Sequence, residues 1–350
     1  MSAASRVTVY VSMPLRGPSG AAGRDVAAGA RMALADARER AGDVRVRAIY
    51  LDDTAGPGRR ARWSQVRAGA NARRATEDTS AVTYVGDFQS GATRTSEPIT
   101  NAARLLQVSP ASTAVDLTRP FPGSNELPAG EQEGGERTFG RVIPDDEAQA
   151  AAAATWVRRL HARRVGVVHD HSAFGRTLGE GFRESLRRVR VVDTAPLVYY
   201  AGLASAEPLS ALQTSGAKVL ASDAVLPPFG SGSGALAALA TSPAQDPAQL
   251  PPRGRRFAAA FDRRYRRAAG PYAAYGYEAM AVVLASIRGA GDDATDRQAV
   301  IDAFFATRDR RSILGTYSID TAGNTTLDRL TGYRLRSRGT PRPVALLPAR

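Results

Sequence analysis

The chain has 350 residues, room for two or three domains, and 43% hydrophobic against 23% charged residues excludes a mostly disordered protein. Lysine and arginine outnumber aspartate and glutamate by 47 to 34, a net charge of +13, and the absence of cysteine excludes disulfides, thiol catalysis and cysteine-ligated zinc. No apolar run approaches the roughly 18 residues that a membrane span requires.

In chain order, residues 7–13 predict a buried, β-branched strand, and 17–23 a loop. A helix follows over 26–41, with Val26, Ala30, Ala33, Leu34 and Ala37 near one face. Strands at 44–51, 81–85 and 105–108 alternate with helices at 61–74 and 93–103. Such alternation predicts a parallel α/β sheet built from these strands and 7–13. Residues 121–135, rich in Pro, Gly and Glu, read as an exposed loop. A second α/β block follows: 139–143 strand-like, a helix over 145–163 capped by Asp145 or Asp146, a strand at 165–169, a helix at 175–188, and strands at 189–192 and 219–221. The Gly-Ser tract within 229–237 reads as flexible. Helices are expected at 253–267 and 275–288, and late strands at 315–320 and 330–336.

Lys218 is the only lysine. The abundance of Ala, Gly, Pro and Arg looks like the codon bias of a GC-rich genome. Arginine pairs, such as Arg59 with Arg60 or Arg163 with Arg164, are spread along the chain. They read as solvated helix faces rather than the one-sided basic footprint of a nucleic-acid binder. No leader segment is visible, because residues 1–6 run straight into the apolar stretch 7–11. That start reads as cytoplasmic, mature or misassigned.

Several candidate motifs are weak. Gly17, Gly20 and Gly23 are spaced G-x-x-G-x-x-G, unlike the dinucleotide fingerprint, and no P-loop or G-x-S-x-G elbow exists. His169 and His171 lack a third ligand nearby except His161, so the segment reads as a strand end with Asp170 starting a turn. Asp52 and Asp53 read as turn or helix caps. The better signal is Tyr84-Val-Gly-Asp-Phe-Gln-Ser-Gly-Ala-Thr93, a strand, a tight turn and a helix start rich in hydroxyls. The next strand ends in Ser109-Pro-Ala-Ser-Thr113. Neighbouring parallel strands would bring both turns to one sheet end, where an anion can bind. The same turns also read as two capped helices and nothing more.

With these residues the chain resembles the type I periplasmic binding proteins of the leucine/isoleucine/valine-binding family, the substrate-binding components of branched-chain amino acid ABC transporters. The matching segments run in order through 7–23, 29–37, 50–53, 84–93, 108–113, 139–149, 165–181, 270–285 and 315–320. The resemblance implies an α/β fold of two Rossmann-like lobes with parallel sheets, joined by a three-crossover hinge and closing on ligand. Lobe one would hold 1–138 and 272–328, lobe two 139–271 and 329–350. It implies that Ser90 and Thr113 match the hydroxyls, and Ala111 the carbonyl, that grip an amino acid's charged groups, with Phe88 and Gln89 beside them. Phe174 matches an aromatic of lobe two, and Asp223 falls where an acid meets the α-ammonium. Two departures stand out: Ala22 replaces an aromatic of the first loop, and lobe two is shortened near 209–223, so fewer strands are expected there. The implied protein is an extracytoplasmic, monomeric solute-binding protein serving an ABC permease. It would be no enzyme and would need no cofactor, metal or nucleic acid. A ligand-sensing domain of the same fold, or a relative impaired in binding, is the alternative.

Overall fold

The structure, a computed structural model, describes residues 5–120, 136–187, 189–204, 207–231, 237–336 and 340–349. The loop expected over 121–135 lies outside the described residues, as does the centre of the Gly-Ser tract, 232–236. The chain divides into two units, Met1–Ile143 with Leu250–Leu327 and Pro144–Gln249 with Asp328–Arg350, so the backbone passes between them three times.

The first unit opens with β1 (Arg6–Met13), α1 (Gly20–Asp36), β2 (Arg40–Ala41) and β3 (Val44–Asp52). A small hairpin, β4 (Thr54–Ala55) and β5 (Arg62–Trp63), precedes α2 (Gln65–Glu77). Then come β6 (Ala81–Val85), α3 (Ser90–Ala102), β7 (Leu106–Ser109) and β8 (Phe139–Arg141). The sheet order is β2-β3-β1-β6-β7-β8. Every pair from β3 to β8 is parallel, and β2 is an antiparallel edge. The four strands expected side by side are therefore in one sheet. All of β6 and all but the first residue of β1 are buried, which is why their sequences are apolar runs rather than alternations.

The glycines at 17 and 23 do not share the expected loop, since α1 already begins at Gly20. Gly17 has φ +71, and a Cβ there would lie 1.8 Å from the Ala61 carbonyl oxygen; on Gly23 it would lie 2.0 Å from that of Pro14. These glycines allow close backbone approach, not phosphate binding.

The second unit holds α4 (Asp146–Arg159), β9 (Arg164–His169), α5 (Ala173–Ser185), β10 (Arg190–Val191), β11 (Leu197–Ala201), α6 (Glu207–Thr214), β12 (Lys218–Ala221) and β13 (Leu239–Ser242). Asp145 caps α4 by accepting from the Ala148 amide at 2.9 Å. Back in the first unit the chain forms α7 (Pro252–Tyr265), α8 (Pro271–Gly289), α9 (Arg297–Phe305) and the hairpin β14 (Arg310–Arg311) with β15 (Thr316–Tyr317). It ends in the second unit with β16 (Arg329–Arg334) and β17 (Arg342–Pro348). The second sheet runs β10-β9-β11-β12-β13-β16-β17, with the last two strands antiparallel. Phe182 of α5 stacks on Tyr199 of β11 at 4.1 Å, in a core shared with Trp156, Leu178 and Leu220.

Two expectations need correction. Among the described residues the second sheet has seven strands against six in the first, so it is not the poorer in strands. What is short is the link from β12 to β13, residues 222–238. Among its described residues it contains only the 3-10 turn Asp223–Val225 and no α-helix. Residues 250–271, expected in the second lobe, group with the first. The reason is packing along α7. Phe257 meets the Tyr277 ring at 5.0 Å, the Tyr265 hydroxyl donates to the Ala28 carbonyl at 3.0 Å, and Arg267 pairs with Asp25. Likewise 139–143 stay with the first unit, because β8 pairs with β7.

Candidate ligand-binding site

In the first unit, β6 and β7 are parallel neighbours, so the turns that follow them lie side by side at the strands' C-terminal ends. Hydroxyls tie them together. Ser109 and Ser112 both donate to the Asp87 carbonyl, at 2.8 and 3.0 Å, and the Thr93 and Ser112 hydroxyls are 2.7 Å apart. Ser109 Oγ in turn accepts from the amides of Ala111 and Ser112. These buried groups hold the frame.

The half-buried groups are different. Ser90 Oγ accepts from the Ala114 amide at 3.2 Å, which sets it against the peptide that follows Thr113 and leaves its proton to donate. Among the described residues the Thr113 side chain has no hydrogen-bond partner, and the Ala111 carbonyl accepts from nothing. Helix α3 has Gln89 at its N-cap, but no side chain caps it. The amides of Ser90 and Gly91 thus have no acceptor among the described residues. An uncapped helix start with its positive dipole end and two nearby hydroxyls is suited to a carboxylate.

Three residues not singled out in the sequence complete this region. The Trp63 ring lies against Gly91, so closely that a Cβ there would come within 2.7 Å of it. Gln89 donates to Ser19 Oγ at 3.0 Å, and the buried Phe88 ring meets Tyr272 at 4.8 Å. Trp63 was hidden within a segment that reads as helix; the signal that could have flagged it is its rarity, as one of two tryptophans.

Beneath the turns lie two buried carboxyls. Asp87 accepts from the hydroxyls of Tyr84 at 3.0 Å and Ser96 at 2.5 Å. Burial nevertheless holds it above the usual carboxylate range, against the pull of those donors. Asp53 is fully buried, and neither of its oxygens has a hydrogen-bond partner among the described residues. Burial first, and then the neighbouring Asp87 and Asp52, push Asp53 further up still. Its neighbour Asp52 is an ordinary turn acceptor. Burial would raise it, but Arg16 at 2.6 Å and donors from Leu15 and Thr54 hold it below the usual range.

In the second unit, Phe174 is a half-buried residue in the first turn of α5, directly after β9. Asp170 accepts from the Ser172 hydroxyl and amide and from the Leu203 amide, so the His169–His171 segment is a turn, with the two imidazoles edge-on at 4.6 Å. Asp223 follows β12 and is buried. It accepts from Gln149 Nε2 at 3.0 Å, and burial pushes it up to about 6 despite that bond. Gln149 also donates to the Thr241 carbonyl at 3.1 Å, at the end of β13. The structure therefore brings Ser90, Ala111 and Thr113 together in one unit. Phe174 and Asp223 lie at the C-terminal strand ends of the other.

Residues 7–230 match the family model described as periplasmic binding protein. The chain belongs to that family, and its two α/β units are the type I form of the fold. It is similar to an amino acid binding protein of Pseudomonas aeruginosa, 25% identical over 222 residues, or 61% of this chain and 52% of the relative. The chain thus spans about half the length of that curated relative. A leucine binding protein of Thermotoga maritima matches with a TM-score of 0.74 at 20% identity, over 98% of this chain and 99% of its own. An ABC transporter substrate-binding protein of Desulfitobacterium hafniense, in complex with Leu, matches at 0.76 and 18% identity, over 97% and 100%. These two likenesses are likenesses of fold. The family and all three relatives are binding proteins rather than enzymes.

Proposed function

We propose that this chain is an extracytoplasmic solute-binding protein for an amino acid or a similar small zwitterion, which it passes to an ABC permease. The observation that carries the reading is the uncapped start of α3, with the amides of Ser90 and Gly91 and the hydroxyls of Ser90 and Thr113 left for a carboxylate. In this reading Asp223 and the Ala111 carbonyl take the ammonium, and Phe174, Phe88 and Gln89 shape the remainder. A buried acid whose donors, the Gln149 amide and its own backbone amide, are neutral is short of positive charge, which an ammonium would supply. Closure of the two units about their three chain crossings would exclude water and strengthen both contacts. The names of the relatives support an amino acid as the solute. No helix among the described residues is long and apolar enough to cross a membrane.

A thermal-shift screen of amino acids against their decarboxylated and deaminated analogues tests this. The reading expects stabilisation by at least one amino acid and by neither of its analogues. Stabilisation by the amine alone would refute the carboxylate grip, and no response to any amino acid would refute the solute class.

A further inference from the structure

A second concave site lies in the first unit, away from the turns that follow β6 and β7. It is a groove of about 630 Å³ at the outer edge of the sheet, lined by seven arginines and a single acid, Glu39. Arg45 and Arg47 come from β3, Arg6 from the start of β1, and Arg40 from β2. Helix α1 and the turn after it give Arg31 and Arg38, and α7 gives Arg264. Strand β2 covers β3 only as far as Val44 and Arg45, so beyond Val46 no strand among the described residues closes this edge.

An arginine-rich composition by itself scatters guanidinium groups and pairs them where acids are near. That happens elsewhere in this unit, in Arg16 with Asp52, Arg94 with Asp116 and Arg310 with Glu278. In the groove it does not. Arg6, Arg38, Arg45 and Arg264 form no ion pair among the described residues, and Arg47 has only a longer-range attraction to Asp78 on the α2 side of the sheet. Among the described residues Arg40 donates only to backbone carbonyls of its own turn, Gly42 and Asp43. So many like charges in one concavity repel unless an anion joins them. Independently, the Tyr50 hydroxyl is buried in the groove with no hydrogen-bond partner among the described residues, and the Arg31 guanidinium lies 3.8 Å over its ring. Burial keeps that phenol protonated, so it is a donor without an acceptor.

One carboxylate cannot neutralise this set, whereas planar guanidinium forks match phosphate oxygens in pairs. The volume is that of a small-molecule site rather than of a broad macromolecular face. We propose that the groove binds a polyphosphate group along this open sheet edge, held by the guanidinium forks of Arg31 and Arg264 on the Tyr50 face of β3 and of Arg45 and Arg47 on its other face, with the Tyr50 hydroxyl as a neutral donor. The phosphates can belong to a soluble molecule or to a phosphorylated headgroup. This site is separate from the amino acid site and does not rest on it.

Isothermal titration of the full chain with inorganic tripolyphosphate, with sodium sulfate as control, tests the proposal. The expected result is binding to tripolyphosphate, tighter than to sulfate by at least about tenfold, that weakens as salt rises. The double variant Arg45→Lys with Arg47→Lys keeps the charge and loses the forks; it should weaken binding by about tenfold. Tyr50→Phe should weaken it by roughly threefold to tenfold, for one neutral donor. Thermal shifts given by amino acids should be unchanged in both variants. Flotation with phosphatidylcholine vesicles carrying a phosphatidylinositol bisphosphate identifies the source: binding that tripolyphosphate displaces assigns a headgroup, and tripolyphosphate binding without flotation assigns a soluble ligand. Equal affinity for sulfate and tripolyphosphate, unchanged affinity in the lysine variant, or no binding of either probe would overturn the proposal.

Discussion

Helices α3 and α5 occupy the same place in their two units, each following a parallel strand by a tight turn, yet their N-termini are opposite in chemistry. At α5 the protein satisfies itself: Ser172 Oγ accepts from the Gly175 amide at 3.0 Å, and Asp170 holds Ser172 in turn. At α3 the N-cap is Gln89, whose amide donates to Ser19, and the amides of Ser90 and Gly91 are left open. Where the first unit offers donors, the second offers a buried acceptor, Asp223. A capped helix end is structural; an uncapped one beside unused hydroxyls is available to an anion.

The largest effect should come from breaking the donor side. Ser90→Ala with Thr113→Ala should weaken binding of the amino acid found in the screen by about 2–4 kcal/mol, two charge-assisted hydrogen bonds, as read by calorimetry. Unchanged affinity would remove these hydroxyls from the grip. Next is the acid beneath that grip. Asp53 has a folded-state pKa above its unfolded value, so the folded chain binds this proton more tightly. The resulting penalty is absent below about pH 4, grows as pH rises, and is complete above about pH 8. Asp53→Asn should therefore raise stability by about 2–4 kcal/mol at pH 8 and by little at pH 4, measured by urea unfolding. Equal effects at the two pH values would show that the carboxyl is not held neutral.

On the acceptor side, Asp223→Asn should cost about 1.5–3 kcal/mol of affinity for the amino acid. Calorimetry should find little change for any ligand that lacks the ammonium, and an equal loss for such ligands would mean that the variant disturbs the unit rather than a charge pair. The smallest effect belongs to the cap of α5. Ser172→Ala should lower stability by about 1 kcal/mol and leave affinity as it was. A loss of affinity exceeding that loss of stability would erase the distinction between the two helix ends.

Much of this was legible in the residues. The strands at β1 and β6 are apolar β-branched runs, and the parallel order followed from their alternation with helices. Strand β11, Leu197–Ala201, was not read although it is wholly buried, because its neighbours lack the turn and helix signals that marked the others. Strand β17 carries two prolines in seven residues, a pattern that argues against a strand unless it lies at an edge, where this one does. The assignment of α7 depended on Phe257 meeting Tyr277 and on Tyr265 reaching Ala28, contacts that no local pattern encodes. The same division holds at the site. Ser90 and Thr113 were visible as hydroxyl-rich turns, but Trp63 and Tyr272 reach that region from distant parts of the chain. The arginines of the β3 edge looked like scattered surface charge until the fold gathered them into one groove.

If the open start of α3 receives the ligand's carboxylate, the amides there must respond to it. Amide chemical shifts followed during titration with the amino acid found in the screen test it most directly. The Ser90 and Gly91 amides should move among the most and saturate with the calorimetric isotherm, and they should stay still with the corresponding amine. Saturable binding that leaves both amides unmoved would contradict it.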